Sequence, residues 1–143
     1  MKKIIIFLAI VVIIVSIISY IYLTNKTNYE IAKRENYQFE SYYNQEILGT
    51  EIATIINKAV DNNSKNEIKK DNKGKYIENN ENSIKVDIKF TDNNEVHNME
   101  AIYTNGIENF VKYYGDIYFK CIKIDYHKNT NKIKYLLFEQ ITE

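Results

Sequence analysis

The chain has 143 residues, with 19 basic and 19 acidic side chains and no formal net charge. With no basic excess to displace counterions from phosphate, it is not read as a nucleic-acid binder. One cysteine and two histidines exclude an intramolecular disulfide and a cysteine-rich zinc module, and an apolar fraction of 45% with a charged fraction of 27% fits one modest globular domain.

The apolar residues are concentrated at the start. Ile4 to Leu23 carry no charge. At about 1.5 Å per residue this run makes a helix of roughly 30 Å, the thickness of a bilayer's hydrocarbon core. Ser16 and Ser19 interrupt it, and their hydroxyls can bond to carbonyls one turn back. Tyr20 and Tyr22 sit at its outer end, where amphipathic rings suit the headgroup region. Lys2 and Lys3 are the only charges before it, so they favour a cytoplasmic N-terminus and an extracytoplasmic segment 25–143. The expectation is a single-pass signal anchor over 1–24 in a bacterial cell membrane. A cleaved signal peptide is the alternative. The run is longer than a usual h-region, and Ile18 to Leu23 offers no pair of small residues for cleavage. No cysteine follows the run to carry a lipoprotein-type anchor.

Segment 25–48 is polar with interleaved aromatics and no glycine or proline. It reads as a juxtamembrane helix continuing out of the membrane. Phe39, Tyr43 and Ile47 recur at i, i+4 and i+8, one face of a helix, over too short a span for a coiled coil. Tyr37, Phe39, Tyr42 and Tyr43 lie on this polar segment and form the candidate partner surface, for an envelope protein.

Segment 49–143 is the expected extracytoplasmic α+β domain. Gly49-Thr50 restarts the helical pattern, with Thr50 as N-cap and Glu51 at the positive helix end. Ile52, Ile55, Ile56, Ala59 and Val60 follow at amphipathic spacing, and Asp61-Asn62-Asn63 ends the helix. Segment 61–82 holds five basic residues, five acidic residues and seven asparagines. It reads as a polar loop, with a turn at Asp71-Asn72-Lys73-Gly74 that fits a small hairpin.

Ser83 to Thr91 alternates apolar and polar side chains, as a half-buried strand does, and Asp92-Asn93-Asn94 closes it. Asn98 then caps a helix whose apolar stripe runs from Met99 through Gly106 to Tyr114. A glycine inside a helix costs about 1 kcal/mol against alanine, which points to a close approach at Gly106; Gly115 supplies the stop. Ile117 to His127 and Lys132 to Ile141 read as an antiparallel hairpin around Asn129-Thr130-Asn131. The fold expected is α+β: an N-terminal transmembrane helix extending into a stalk, then helices on one face of a small, mainly antiparallel sheet.

The chemical inventory is thin. Cys121 stands mid-strand among apolar residues, where a small buried hydrophobe is the expected role rather than a nucleophile. His97 and His127 lie near element ends, the usual place of solvated histidines, and Asp125 and His127 share a strand face where they can pair. No metal-ligand spacing, nucleophile elbow or phosphate-binding glycine loop occurs. No cofactor and no catalytic set is expected.

Gly49-Thr50-Glu51-Ile52-Ala53-Thr54-Ile55-Ile56-Asn57-Lys58-Ala59, then Met99-Glu100 with Ile102 and Gly106, then Phe119-Lys120-Cys121, resembles a group of small single-pass membrane proteins of Clostridia-type bacteria. The resemblance implies an anchored extracytoplasmic domain and no particular activity. The outline, an apolar N-terminal helix running into an α+β head, is also similar to type IV pilins and pseudopilins. Their processing signature is missing, since Lys3 precedes Ile4 and the first acid is Glu30. Three functions follow as expectations: a non-enzymatic partner-binding component of an envelope assembly, a pilin-like subunit polymerising through its N-terminal helix, or a small-ligand sensor or enzyme.

Overall fold

A run without proline or glycine until Gly49 lets one helix continue far beyond the apolar span. In the computed structural model, which describes residues 2–92 and 94–142, α1 runs unbroken over Lys2–Glu40. Its 39 residues span about 58 Å. Every large apolar side chain from Ile4 to Leu23 is at least 39% exposed. Beyond the span the helix turns one face inward, burying Ala32, Asn36 and Phe39.

The helix expected over 25–48 therefore stops early. Asn44 takes a left-handed conformation at φ 58°, and its N–H donates to the Cys121 carbonyl at 3.1 Å. The chain is thereby led onto a sheet edge, and β1 (Glu46–Leu48) buries Ile47 opposite Phe119. Pairing at that edge satisfies backbone groups that a longer helix would leave facing β4 unpaired.

α2 (Gly49–Lys65) follows at once. Its N-cap is Leu48, not Thr50, and the Glu51 carboxylate accepts the Leu48 N–H at 3.1 Å. Gly49 is buried where an added Cβ would lie 1.9 Å from the Tyr114 carbonyl oxygen. The helix also runs past the expected stop at Asp61-Asn62-Asn63. Asn63 is fully buried, and its carboxamide donates to the Ile84 carbonyl at 2.7 Å and accepts the Ile84 N–H at 2.8 Å. A stop signal read from the sequence is here a side chain spent on the backbone of Ile84, one loop away.

The remaining elements are β2 (Lys85–Lys89), β3 (Val96–Asn98), α3 (Met99–Thr104), α4 (Ile107–Tyr114), β4 (Tyr118–Tyr126) and β5 (Ile133–Gln140). Among the described residues they complete a five-stranded sheet in the order β1-β4-β5-β2-β3. Its pairings are antiparallel except β2 with β5, which is parallel. The expected β4–β5 hairpin is present, with Asn131 left-handed at φ 56° in its loop. The alternation of β2 places Val86 and Ile88 in the core and Lys85 in solvent. Asp87 is buried despite its polar-face parity, bonded to the Tyr135 hydroxyl at 3.1 Å and paired with Lys85 at 3.0 Å. Of the closing turn, Asn93 lies outside the described residues.

The helix expected from Asn98 to Tyr114 is two helices. Asn98 caps the first, accepting the Ala101 N–H at 2.9 Å. Gly106, at φ 95°, then breaks the path and caps α4. Only glycine takes that conformation without steric cost, so Gly106 marks a corner rather than a close approach. The core lies between the helices and one sheet face, built on Ile52, Ile56, Ile88, Phe119, Leu136 and Phe138. The fold is thus α+β with a long N-terminal helix, as expected.

Segment 61–82 is held by its polar side chains. Asp71 Oδ1 accepts the Lys73 and Lys75 N–H groups at 2.8 and 2.9 Å, which holds its carboxyl below the usual range. Gly74 closes the turn at φ 79°, and Lys70 bridges Tyr76, the expected small hairpin. Asn79 Oδ1 accepts the N–H groups of Glu81, Asn82 and Ser83.

Candidate functional site

Two features place this fold relative to its surroundings: the exposed apolar half of α1 and the seam where its polar half meets the head. The apolar half has a mean hydropathy of 3.3 over its best 18-residue window, and none of that window is buried. It is long and apolar enough to span a membrane and to insert in a lipid bilayer. Ser16 Oγ donates to the Val12 carbonyl at 2.8 Å, so this hydroxyl is satisfied inside the helix.

The seam is made by Asn36. Its carboxamide Nδ2 donates to the Asn131 carbonyl at 2.8 Å, and its Oδ1 accepts the Ile133 N–H at 2.8 Å. One buried side chain thus continues the backbone bonding of β5 at its first residue. Ala32 and Phe39 pack on either side of it along the helix. Two polar contacts flank the seam, Glu35 with Lys132 at 2.8 Å and Glu40 with the Tyr126 hydroxyl at 2.9 Å. Tyr126 ionises only near 12, raised by burial and then by the Glu40 carboxylate. A polar cleft of about 240 Å³ lies beside the seam, between α1 and α2, with Lys58, Lys65 and Lys132 facing Glu35 and Asp61.

The four aromatic residues of the candidate partner surface divide. Tyr37 is 73% exposed and Tyr43 is 53% exposed. Phe39 is buried in the core, and Tyr42 packs against that core half-buried. Of the four, Tyr37 and Tyr43 are therefore open to solvent, and Ile122 and Tyr126 are exposed as well. Ile122 projects at an irregularity in the β4–β5 register, which alternation alone did not reveal.

The titratable groups do not converge. Cys121 is buried, and its thiol donates to the Lys123 carbonyl at 3.6 Å. Burial pushes that thiol up to about 11, the direction opposite to an activated nucleophile. His127 is 3% exposed rather than solvated, with Nε2 at 2.7 Å from the Ser83 carbonyl. Asp125 pairs with Lys123 at 3.0 Å instead of His127. His97 is half-buried, edge-on to Phe90, with Glu95 at 3.1 Å. Among the described residues, no three His, Cys, Asp or Glu side chains are gathered to hold a metal ion. Asn36 is the residue that sequence reasoning missed; its spacing, four residues after Ala32 and three before Phe39, puts it on their helix face and is the available signal.

No family model, curated protein or solved structure matches the chain.

Proposed function

We propose that this protein is a non-enzymatic, single-pass membrane component that holds an extracytoplasmic α+β head at a set distance from the bilayer, where the head contacts a protein partner in the cell envelope. The observation that carries this reading is the continuity of α1: one helix supplies both the free apolar span and the seam at Asn36. Force or position at the anchor is therefore passed to the sheet without an intervening flexible linker. Lys2 and Lys3 orient the anchor with its N-terminus in the cytoplasm. With those two set aside from the 19 basic residues, the exported part is acidic by two charges. Tyr37 and Tyr43 offer the partner large exposed rings with low side-chain entropy. The buried thiol of Cys121 and the carbonyl-bound His127 support a role without chemistry.

Two measurements test the proposal. Carbonate-washed membranes should retain the protein, with its first residues intact. A photo-crosslinker at Tyr37 or Tyr43 should then capture a defined envelope protein. A mature N-terminus near residue 20 or 25, or crosslinks to lipids and chaperones alone, would reject the reading. Polymerisation in the manner of a pilin is the second reading. It is favoured by the same free apolar helix half, and sedimentable filaments containing the protein would establish it over the first.

A further inference from the structure

The corner at Gly106 opens a second cleft, remote in sequence from the anchor. It measures about 240 Å³ and lies where α3 and α4 meet the end of β2. Phe90, Ile102, Phe110 and Tyr114 line its apolar wall. The rings are already ordered against one another. Phe110 stacks on Tyr114 at 5.5 Å, Tyr114 leans on Phe90 at 4.7 Å, and His97 meets Phe90 edge-on at 5.2 Å. The polar groups in the lining are few: the His97 imidazole, the Tyr hydroxyls, and the carboxamides of Asn105 and Asn109. Asn109 is fixed there by donating its Nδ2 to the Asn105 carbonyl at 2.8 Å. Among the described residues, no Lys, Arg, Asp or Glu lines the cleft.

We propose that this cleft is a binding site for a small, uncharged aromatic compound of one or two fused rings. Size, wall chemistry and charge each narrow the class. Pockets for drug-sized ligands measure roughly 300 to 1,000 Å³, so this smaller cleft admits at most a ring system with few substituents. Phe90 and Phe110 are 6% exposed and packed on their ring neighbours, so a flat ring is the shape that can lie against the edges they leave open. His97, the titratable lining group besides the tyrosines, is already bonded to the Glu95 carboxylate at 3.1 Å, so an ionised ligand would lose its hydration here without a countercharge left to meet it. The carboxamides of Asn105 and Asn109 offer both donors and acceptors to one polar substituent, such as a ring N–H or hydroxyl. The cleft depends on the corner: a continuous helix from Met99 to Tyr114 would not part α3 from α4 at Gly106.

The test titrates indole into the full-length, ¹⁵N-labelled protein in nanodiscs. Amide shifts should saturate and centre on Asn105, Gly106, Asn109 and Phe110. Asn109→Trp, which places a bulky ring at the mouth, should weaken indole binding at least tenfold with the thermal melt unchanged. Asn105→Trp serves the same purpose if that variant fails to fold. Benzoate, a ring of similar size bearing a full charge, should bind at least tenfold more weakly than indole at neutral pH. Shifts that rise linearly and scatter over exposed tyrosines such as Tyr37 and Tyr118 would overturn the proposal. So would indole affinity unchanged in the folded tryptophan variants, or benzoate binding as tightly as indole.

Discussion

Asn36 on the anchor helix and Ile133 at the start of β5 are 97 positions apart, yet the carboxamide oxygen of one accepts the backbone N–H of the other at 2.8 Å. The same carboxamide donates to the Asn131 carbonyl, so both ends of the side chain are used. Asn36→Ala leaves a buried donor and a neighbouring acceptor without partners. An unsatisfied buried group costs about 1–3 kcal/mol. The expected result is a loss of that order in urea denaturation of the head, read by far-ultraviolet circular dichroism in detergent. Asn36→Asp keeps the acceptor for Ile133 but turns a carboxylate toward a carbonyl, and should recover none of the loss.

Gly49 is set by packing rather than by its backbone angles. Alanine there brings its Cβ to 1.9 Å from the Tyr114 carbonyl oxygen, and backbone must move. Overpacking of this kind costs about 1–3 kcal/mol. Gly74→Ala is the matched control, since nothing lies within 4 Å of its added Cβ and only its φ of 79° is disfavoured. Urea denaturation should show a loss of about 1–3 kcal/mol for Gly49→Ala. Gly74→Ala should lose roughly 1–2 kcal/mol from its left-handed backbone alone, most of it recovered in Gly74→Asn, whereas no side chain should rescue position 49.

Cys121 makes stability depend on pH in the alkaline range. Burial pushes its thiol up to about 11, against an ordinary value of about 8.5. Above about pH 8.5 the unfolded chain releases a proton that the folded chain keeps, so stability falls as pH rises toward 11. Tyr135, pushed up to about 12 by burial and by Asp87, adds to the decline above about pH 10. Cys121→Ala should flatten the first part of that slope in denaturation curves taken between about pH 8 and about pH 10.5. The native thiol should also resist maleimide at neutral pH until the protein unfolds.

Lys2 and Lys3 are predicted to orient the anchor. Replacing both with glutamine should yield a mixed topology, with a fraction of heads shielded from protease added outside the cell. Uniform protease access to the variant heads would remove these lysines from the account.

Much of this architecture is legible in the residues, because strong periodicities reported it. The charge-free run to Leu23, the alternation of Ile84 to Phe90 and the Asn129–Asn131 turn each carry a local signal that tertiary contacts did not override. Two of the misreadings share one cause, polar residues employed at long range. Asn63 looks like a helix stop and instead bonds to Ile84. His127 looks solvated and instead reaches the Ser83 carbonyl. Phe39 and Tyr37 share a polar segment, but the helix turns Phe39 to the core and Tyr37 to solvent. Gly106 fits the apolar stripe in projection, and only its φ of 95° reveals the corner. The division of these aromatics between core and solvent and the ring-lined cleft both depend on such turns, so neither is visible in spacing alone.

Through Asn36 the anchor and the head should move as one body. Double electron–electron resonance between spin labels at Asn25 and Lys128, in a Cys121→Ala background in nanodiscs, measures this directly. The account predicts one narrow distance distribution that broadens in Asn36→Ala. A broad distribution in the unaltered seam, unchanged by that substitution, would contradict it.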